Sequence, residues 1–241
     1  MIYGIDKKKL ITIHQPETYP WLGFFNKMML ADEYIILDNV QFRKNYFQNR
    51  NQFLMKEGSI YLSVPVDFKK NKIIKDIQIR YNEKWQIKHL KTIKQSYSKS
   101  KYFSEHIDFF KKLYSIKFEF LIDFNMYIIE YLRDVFEIKV PIVRASTLKS
   151  SDSSSKLLLN ICKEREAEIY LSGRDGRNYL DTTLFKKENI EIVYHDFTHP
   201  KYKQFNSKEF VPYMNTFDLL FNYSIEESKK LILSGGTFCE E

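Results

Sequence analysis

Two polar side chains, His14 and Asp38, each follow a short apolar run with the composition of a buried strand. The runs at residues 10–13 and 35–37 are too short for helices and rich in β-branched residues. In open α/β sheets, sites form beyond the carboxyl ends of the strands. If the two strands are parallel neighbours, polar groups converge on one rim. The residues expected there are His14, Gln15, Asp38 and Gln41.

This set of side chains has the parts that an N-acyltransferase needs, a base for the amine proton and a donor for the oxyanion. Neutral His14 is the predicted base, and the Asp38 carboxylate is predicted to hold its imidazole in one tautomer. Gln15, Gln41 or backbone N–H groups near Gly173 are the candidate oxyanion donors. Pro16 and Pro20 should stiffen the turn after His14, and Trp21 should open a helix. His199, in a loop before a proline, is a second catalytic candidate.

Two further loops have compositions suited to a phosphorylated ligand. Residues 39–51 crowd amides and cations beside aromatic rings, and we favour ligand contact through Arg50 and Asn51 over a solvated loop. At residues 172–180 a strand runs into Ser, Gly and Arg before a helix start, an arrangement that can cradle phosphate. A strand-to-helix turn that needs glycine for a positive φ explains the second pattern equally well.

Strands and helices alternate at both ends of the chain, with a helical stretch between them. Strands are predicted at residues 60–66, 73–79, 168–171 and 189–194, the last followed by His195. Helical spacing covers about 85–97, 103–114, 118–136 and 156–165, and the chain is expected to fray from about Ser234. The prediction is a three-layer α/β fold, with a mostly parallel sheet and helices on both faces. The α/β core comprises about 10–80 and 166–222, and a helical insertion comprises about 83–165.

Length and charge restrict the class of protein. The 241 residues fit one domain, and the net charge of +7 indicates either a coding bias toward lysine or an acidic partner. The acidic partner could be the phosphates of a nucleotide-linked sugar, an acidic carrier protein or an anionic membrane surface. Nucleic acid does not, because the lysines are dispersed and no nucleic-acid module is recognisable.

Cysteines and apolar segments indicate a cytoplasmic protein. Cys162 lies on an apolar helical face and Cys239 in the tail, which suggests neither a disulfide framework nor a metal site. The histidines and carboxylates show no ligand spacing, so no metal is expected. Residues 1–9 lack the apolar core of a signal peptide, and no apolar run has transmembrane length.

Several motifs in register resemble the WbqC-like family, which is found among bacterial surface-polysaccharide (O-antigen) functions. The matching segments are residues 14–25, 31–42, 49–51, 170–180, 199–204 and 217–222. The chain departs from the family pattern at Glu17-Thr18 and at Tyr223. The resemblance implies one WbqC-like domain over residues 1–241 and an enzyme that decorates an amino sugar. The substrate-binding residues expected from these motifs and loops are Gln15, Tyr19, Trp21, Gln41, Arg50, Asn51, Ser172, Gly173, Arg174, Asp175, Tyr179 and Gln204.

Three functions remain open at this point. The first is N-acyl transfer to a nucleotide-linked amino sugar, from acyl-coenzyme A or an acidic acyl carrier protein. The second is a nucleotide-using enzyme that forms an adenylate or transfers a nucleotidyl group. It draws on a similarity to the HIGH-type transferase fold, although Phe24 follows Gly23 where that group has its second histidine. The third is a non-catalytic binding or assembly factor of the polysaccharide machinery.

Overall fold

The computed structural model describes residues 8–68 and 72–240, and a six-stranded sheet organises them. The strands are β1 (Leu10–His14), β2 (Glu33–Ile36), β3 (Arg50–Leu54), β4 (Ser59–Ser63), β5 (Ile142–Arg144), β6 (Ile169–Ser172), β7 (Glu191–Phe197) and β8 (Gly236–Glu240). The main sheet has the order β5-β2-β1-β6-β7-β8, in which only β8 runs antiparallel to its neighbour. The predicted, mostly parallel sheet is confirmed.

The first two strands are parallel neighbours, as predicted, with His14 in register with Ile36. From β1 the chain adds β2 and then β5 on one side, and it later adds β6 and β7 on the other side. The direction of winding therefore reverses between β1 and β6. A crevice outside the carboxyl ends of the strands at such a reversal is the usual ligand site of an open α/β sheet.

Helices cover both faces of this sheet. They are α1 (Leu22–Met29), α2 (Trp85–Tyr97), α3 (Phe103–Ser115), α4 (Leu121–Val135), α5 (Ser154–Glu164), α6 (Thr182–Lys187), α7 (Thr216–Asn222) and α8 (Ile225–Ser234). Alternate residues of β2 enter different cores: Tyr34 and Ile36 pack with α1, α2, α3, α4, α7 and α8, whereas Ile35 packs with α5 and α6. The three-layer α/β fold is confirmed.

The predicted helical insertion is shorter than expected. Its helices α2, α3 and α4 match the predicted spans, and Ile93 and Phe110 share one apolar cluster with Phe24 of α1. The chain then re-enters the sheet at β5, and α5 covers the opposite face, so residues 142–165 belong to the α/β core. A three-residue strand after a proline is too short to give a periodic signal.

Other local predictions also need correction. Residues 74–76 form a 3₁₀ helix between isolated bridges at Ile73 and Ile79, instead of a strand. Strand β4 pairs with β3 in a separate two-stranded sheet. The chain end does not fray from Ser234, because β8 pairs with β7 and places Cys239 in register with Tyr194. Residues 1–7, on which the lack of a signal peptide was predicted, lie outside the described part of the chain.

Candidate active site

His14 ends β1, and its imidazole pairs with a carboxylate three residues further along the chain. His14 Nε2 lies 3.1 Å from Glu17 Oε1 across the turn that contains Pro16. An ionised carboxylate only accepts hydrogen bonds, so Nε2 carries the proton and Nδ1 keeps a lone pair. No described residue hydrogen-bonds Nδ1. Phe24 packs edge-on against the ring at a centroid distance of 5.2 Å, which further restricts its orientation.

Asp38 does not orient His14. Its fully buried carboxylate accepts hydrogen bonds from Arg144 Nε at 2.7 Å, Ser146 N at 2.8 Å and Ser146 Oγ at 2.7 Å. These bonds tie the end of β2 to the segment after β5. The predicted pairing of His14 with Asp38 is therefore wrong, and Glu17 takes the role assigned to Asp38. The i, i+3 spacing of His14 and Glu17 across a proline turn is the sequence signal for this pair.

Gln15 is held by a second amide. Gln48 Nε2 donates to Gln15 Oε1 at 2.6 Å, and Gln48 Oε1 accepts from Arg43 N at 2.7 Å. Because its oxygen is occupied, the NH₂ group is the part of the Gln15 amide that remains for a ligand. Within the described chain no acceptor is bonded to that group. Gln15 and His14 line the same cleft, so the cleft contains one oriented donor and one oriented base.

Lys27 of α1 reaches the same region and was missing from the predicted site. Its residue is 2% exposed, and Nζ donates to Ile13 O at 3.2 Å. Burial lowers the pKa of the Lys27 amine from its ordinary value to about 7, and the Glu17 charge opposes part of that effect. A single lysine in a helical sequence carries no signal that it points inward, so the tertiary structure alone identifies it.

His195 of β7 lines the same cleft as Lys27 and was also missing from the predicted site. Asn26 Nδ2 donates to Ile232 O at 2.8 Å, so Asn26 Oδ1 is the atom that accepts from His195 Nε2 at 2.6 Å. Burial first, and then the charges of Lys27 and His14, lower the pKa of His195 to about 3. His195 is therefore neutral at physiological pH and offers Nδ1 as an acceptor.

These groups line a cleft of about 990 Å³ at the point where the sheet order reverses. Eight predicted site residues line it: His14, Gln15, Trp21, Gln41, Gly173, Arg174, Asp175 and Tyr179. The loop at residues 39–51, predicted to contact a ligand, also contributes Arg43, Tyr46 and Gln48. Lining residues that the sequence did not single out include Glu17, Lys27, His195 and Tyr213. The two walls follow β1 and β6, as expected for a site at this edge of the sheet.

The cleft mouth combines cations with exposed aromatic rings. The Arg43 guanidinium lies 4.5 Å from the centroid of the Tyr46 ring, and Tyr179 and Tyr213 are more than half exposed. Arg174 is exposed, and its guanidinium forms no ion pair with any residue that the structure describes. Rings of this kind suit the face of a base or a sugar, and guanidinium groups suit phosphate.

The glycines after β6 have a packing role. A Cβ atom on Gly176 would overlap Ser172 Oγ, so a larger residue there would displace the Ser172 side chain. Residues 174–178 form a 3₁₀ helix whose first turn uses the Gly176 amide for a bond to Gly173 O at 2.9 Å. Gly173 has a φ of −68°, and the only glycine with positive φ among the described residues is Gly58, so the positive-φ interpretation of this loop is wrong.

Five other predicted contacts have structural partners outside the cleft. Tyr19 is buried and its hydroxyl lies 2.7 Å from the Tyr114 hydroxyl, while Asn51 Nδ2 donates to Tyr19 O at 2.8 Å. The Arg50 guanidinium packs on Tyr61. Ser172 is buried beneath Gly176, and Gln204 Nε2 donates to the buried carboxylate of Asp218 at 2.8 Å.

His199 lies behind the cleft wall. Its ring packs among aromatic residues that include Tyr202, Phe210 and Tyr213, and its Nδ1 lies 3.1 Å from Pro200 O. Burial lowers the pKa of His199. Phe197 and Tyr213, which pack against this ring, line the cleft, but His199 itself does not.

The described residues provide neither a cluster of metal ligands nor a membrane-spanning helix. No three His, Cys, Asp or Glu side chains there are grouped so that they could hold a metal ion. The helices of the same part of the chain include none with the length and apolar character needed to cross a bilayer.

Comparison with known proteins identifies the family. The "Uncharacterized protein Rv1507c" of Mycobacterium tuberculosis (strain ATCC 25618 / H37Rv) is 27% identical over 222 residues, which cover 90% of this chain and 95% of that protein. No solved structure matches the chain. The model of the WbqC-like protein family matches residues 15–230, from the glutamine beside His14 to the last helix. The chain therefore belongs to the WbqC-like protein family.

Proposed function

We propose that this protein transfers an acyl group to the amino group of a nucleotide-linked amino sugar, with His14 as the general base. The observation that carries the proposal is the His14–Glu17 pair, because it leaves a basic ring nitrogen open beside a large cleft. The charged form of the imidazole would be stabilised by the carboxylate that also orients it. Glu17 replaces Asp38 in this role.

The groups around His14 suit each step of acyl transfer. The sugar amine attacks the carbonyl of a thioester while His14 Nδ1 accepts its proton. The free NH₂ group of Gln15 donates to the oxyanion of the tetrahedral intermediate. Collapse expels the thiolate, which takes the proton back from His14. The products are an amide and a free thiol, and neither ATP nor a metal is consumed.

The cleft mouth supports a nucleotide-linked acceptor. Arg43 and Arg174 are available for phosphate, and the rings of Tyr46, Tyr179 and Tyr213 are available for a base or sugar. The resemblance to proteins of surface-glycan biosynthesis supports an amino sugar as the acceptor. The donor is acyl-coenzyme A or an acyl carrier protein, and the net charge of +7 supports an acidic donor of either kind.

The test is a direct product search by mass spectrometry. The protein is incubated with a panel of nucleotide-linked amino sugars and either acyl-coenzyme A or loaded carrier protein, without ATP. We expect an acylated sugar nucleotide with the native protein and a loss of about 10²- to 10⁴-fold in His14→Asn. Full turnover in a folded His14→Asn protein would exclude His14 as the base.

The sheet order favours one other function, that of a nucleotide-using enzyme. A parallel sheet that reverses between β1 and β6, with a cleft at the reversal, is typical of folds that bind nucleotides. Product formation that requires ATP and magnesium in the same assay would support adenylate formation over direct acyl transfer. A binding or assembly factor would show ligand binding, no product under either condition, and no effect of His14→Asn.

A further inference from the structure

The amine of Lys27 has more hydrogen-bonding capacity than the protein uses. An ammonium group has three N–H donors, and the one bond described for Nζ goes to Ile13 O. The side chain is buried along its stem, yet it contributes to the lining of the cleft. Such a group can turn its remaining donors toward a ligand without exposing itself to bulk water.

The ionisable groups near Lys27 offset only part of the cost of burying its amine. They are His14 from β1, Glu17 from the following turn and His195 from β7. Glu17 Oε1 is engaged by His14 Nε2, Glu17 Oε2 has no hydrogen-bond partner among the described residues, and His195 is a neutral acceptor. No ion pair joins Lys27 to any described carboxylate. Burial without a full counter-charge lowers the pKa of the amine to about 7.

An anion placed against this amine would shift its protonation equilibrium. A negative charge within a few ångströms favours the ammonium form and raises the pKa of a buried lysine. Arg174 at the mouth can hold one end of an extended anion, and Lys27 lies at the floor beside His14. A ligand with two linked phosphates between a base and a sugar has the extended, doubly charged form that this arrangement suits.

We propose that Lys27 binds a phosphate group of a nucleoside-diphosphate sugar at the cleft floor and takes up a proton as it does so. The ligand class rests on the proposed function, whereas the proton uptake is a property of this binding site alone. The protonation state of Lys27 would therefore depend on the negative charge of the ligand. An uncharged sugar would not cause Lys27 to take up a proton.

Isothermal titration calorimetry in two buffers of different ionisation enthalpy measures the proton uptake. The probes are UDP-glucose, GDP-mannose and dTDP-glucose, whose phosphates do not titrate near neutral pH. With the tightest probe we expect uptake of about one proton per bound molecule near pH 8, falling to about a tenth of a proton near pH 6. Absence of binding by all three probes, or binding without proton uptake near pH 8, would overturn the proposal.

Variants assign the proton to its residue. Lys27→Met should bind at least about tenfold more weakly and take up no proton, whereas Lys27→Arg, always charged, should bind without uptake. Lys94→Met, which removes one exposed charge on α2, should take up the proton as the native protein does. Uptake that persists in Lys27→Met or disappears in Lys94→Met would contradict the assignment. No acyl donor or amino sugar is present, so a failure of acyl transfer remains a separate result.

Discussion

Glu17 Oε1 lies 3.1 Å from His14 Nε2, and the short turn through Pro16 sets this distance. Both partners belong to one rigid segment, so their pairing does not depend on the packing of distant elements. The open ring nitrogen, Nδ1, follows directly from that pairing.

Glu17→Gln should impair His14 without unfolding the protein. The variant keeps the shape of the side chain but removes the charge that stabilises protonated His14, and its amide can present NH₂ to Nε2. We expect kcat to fall by about 10²- to 10⁴-fold. The ¹⁵N chemical shifts of the His14 ring report the tautomer directly: Nε2–H in the native protein and a mixed population in the variant. Glu83→Gln, an exposed change, is the control. An unaltered tautomer and rate in Glu17→Gln would contradict the orienting role.

Asp38→Asn should reduce stability instead of acting selectively on catalysis. The substitution leaves Arg144 beside a buried neutral amide in place of a carboxylate. Loss of one partner of a buried ion pair costs about 3 kcal/mol in the free energy of unfolding, measured by urea denaturation. Asp123→Asn is the matched control, because Asp123 also faces Arg144, at 3.6 Å, but is half exposed. It should cost less than about 1 kcal/mol. Equal effects of the two variants would contradict a special role for the buried carboxylate.

Lys27→Met should remove one pH dependence of stability. Because the folded pKa of Lys27 is lowered to about 7, the unfolded chain binds an extra proton between about pH 7 and pH 10.5. The penalty from Lys27 is largest below pH 7 and is relieved as pH rises through that window. The variant should be more stable than the native protein near pH 7, and the difference should shrink by about 2 kcal/mol between about pH 7 and pH 9. A constant difference over that range would show that Lys27 stays charged in the folded protein.

Acid should destabilise the protein through its buried histidines. Burial lowers the pKa of His89 to about 4, of His106 to about 4 and of His195 to about 3. Each is neutral in the folded state and becomes protonated on unfolding below about pH 6.5, so its stabilising contribution is lost as pH falls toward the folded pKa. We expect about 2 kcal/mol of lost unfolding free energy for each histidine between about pH 6.5 and pH 4.5. His106→Gln cannot take up that proton and should lose less over the same interval. If the free energy of unfolding changes equally with pH in the variant and the native protein, His106 does not contribute to the acid sensitivity.

The sheet strands around the site were predictable because their signals are local. Leu10–Ile13 and Ile35–Leu37 are short apolar runs, and the first precedes a proline turn. Their parallel pairing follows from the helix between them. The loop after β6, at residues 173–179, was likewise predicted from local sequence to contact a ligand, and it lines the cleft. Strand β5, the 3₁₀ segment at Ile74–Asp76 and strand β8 were not readable, because each is short and depends on a partner far away in sequence.

The partners of each ionisable group were less predictable than its position. His14 and Asp38 both end strands, but a sequence does not record which hydrogen-bond donors surround a buried carboxylate. Arg144 and Ser146 lie more than a hundred residues after Asp38 in the sequence. They donate hydrogen bonds to both of its carboxylate oxygens. The carboxylate that pairs with the His14 imidazole is instead Glu17, three residues further along the chain.

The sequence by itself determined that a histidine would stand at the end of a buried strand, beside a stiff turn, at the rim of an α/β sheet. It also carried the motifs of the WbqC-like family. Only the tertiary structure decided that Lys27 and His195 join His14 at the cleft floor, and that Asp38, His199 and Gln204 do not. The physical reason is burial: the pKa and the role of a side chain depend on neighbours that several elements bring together, and no local spacing specifies them.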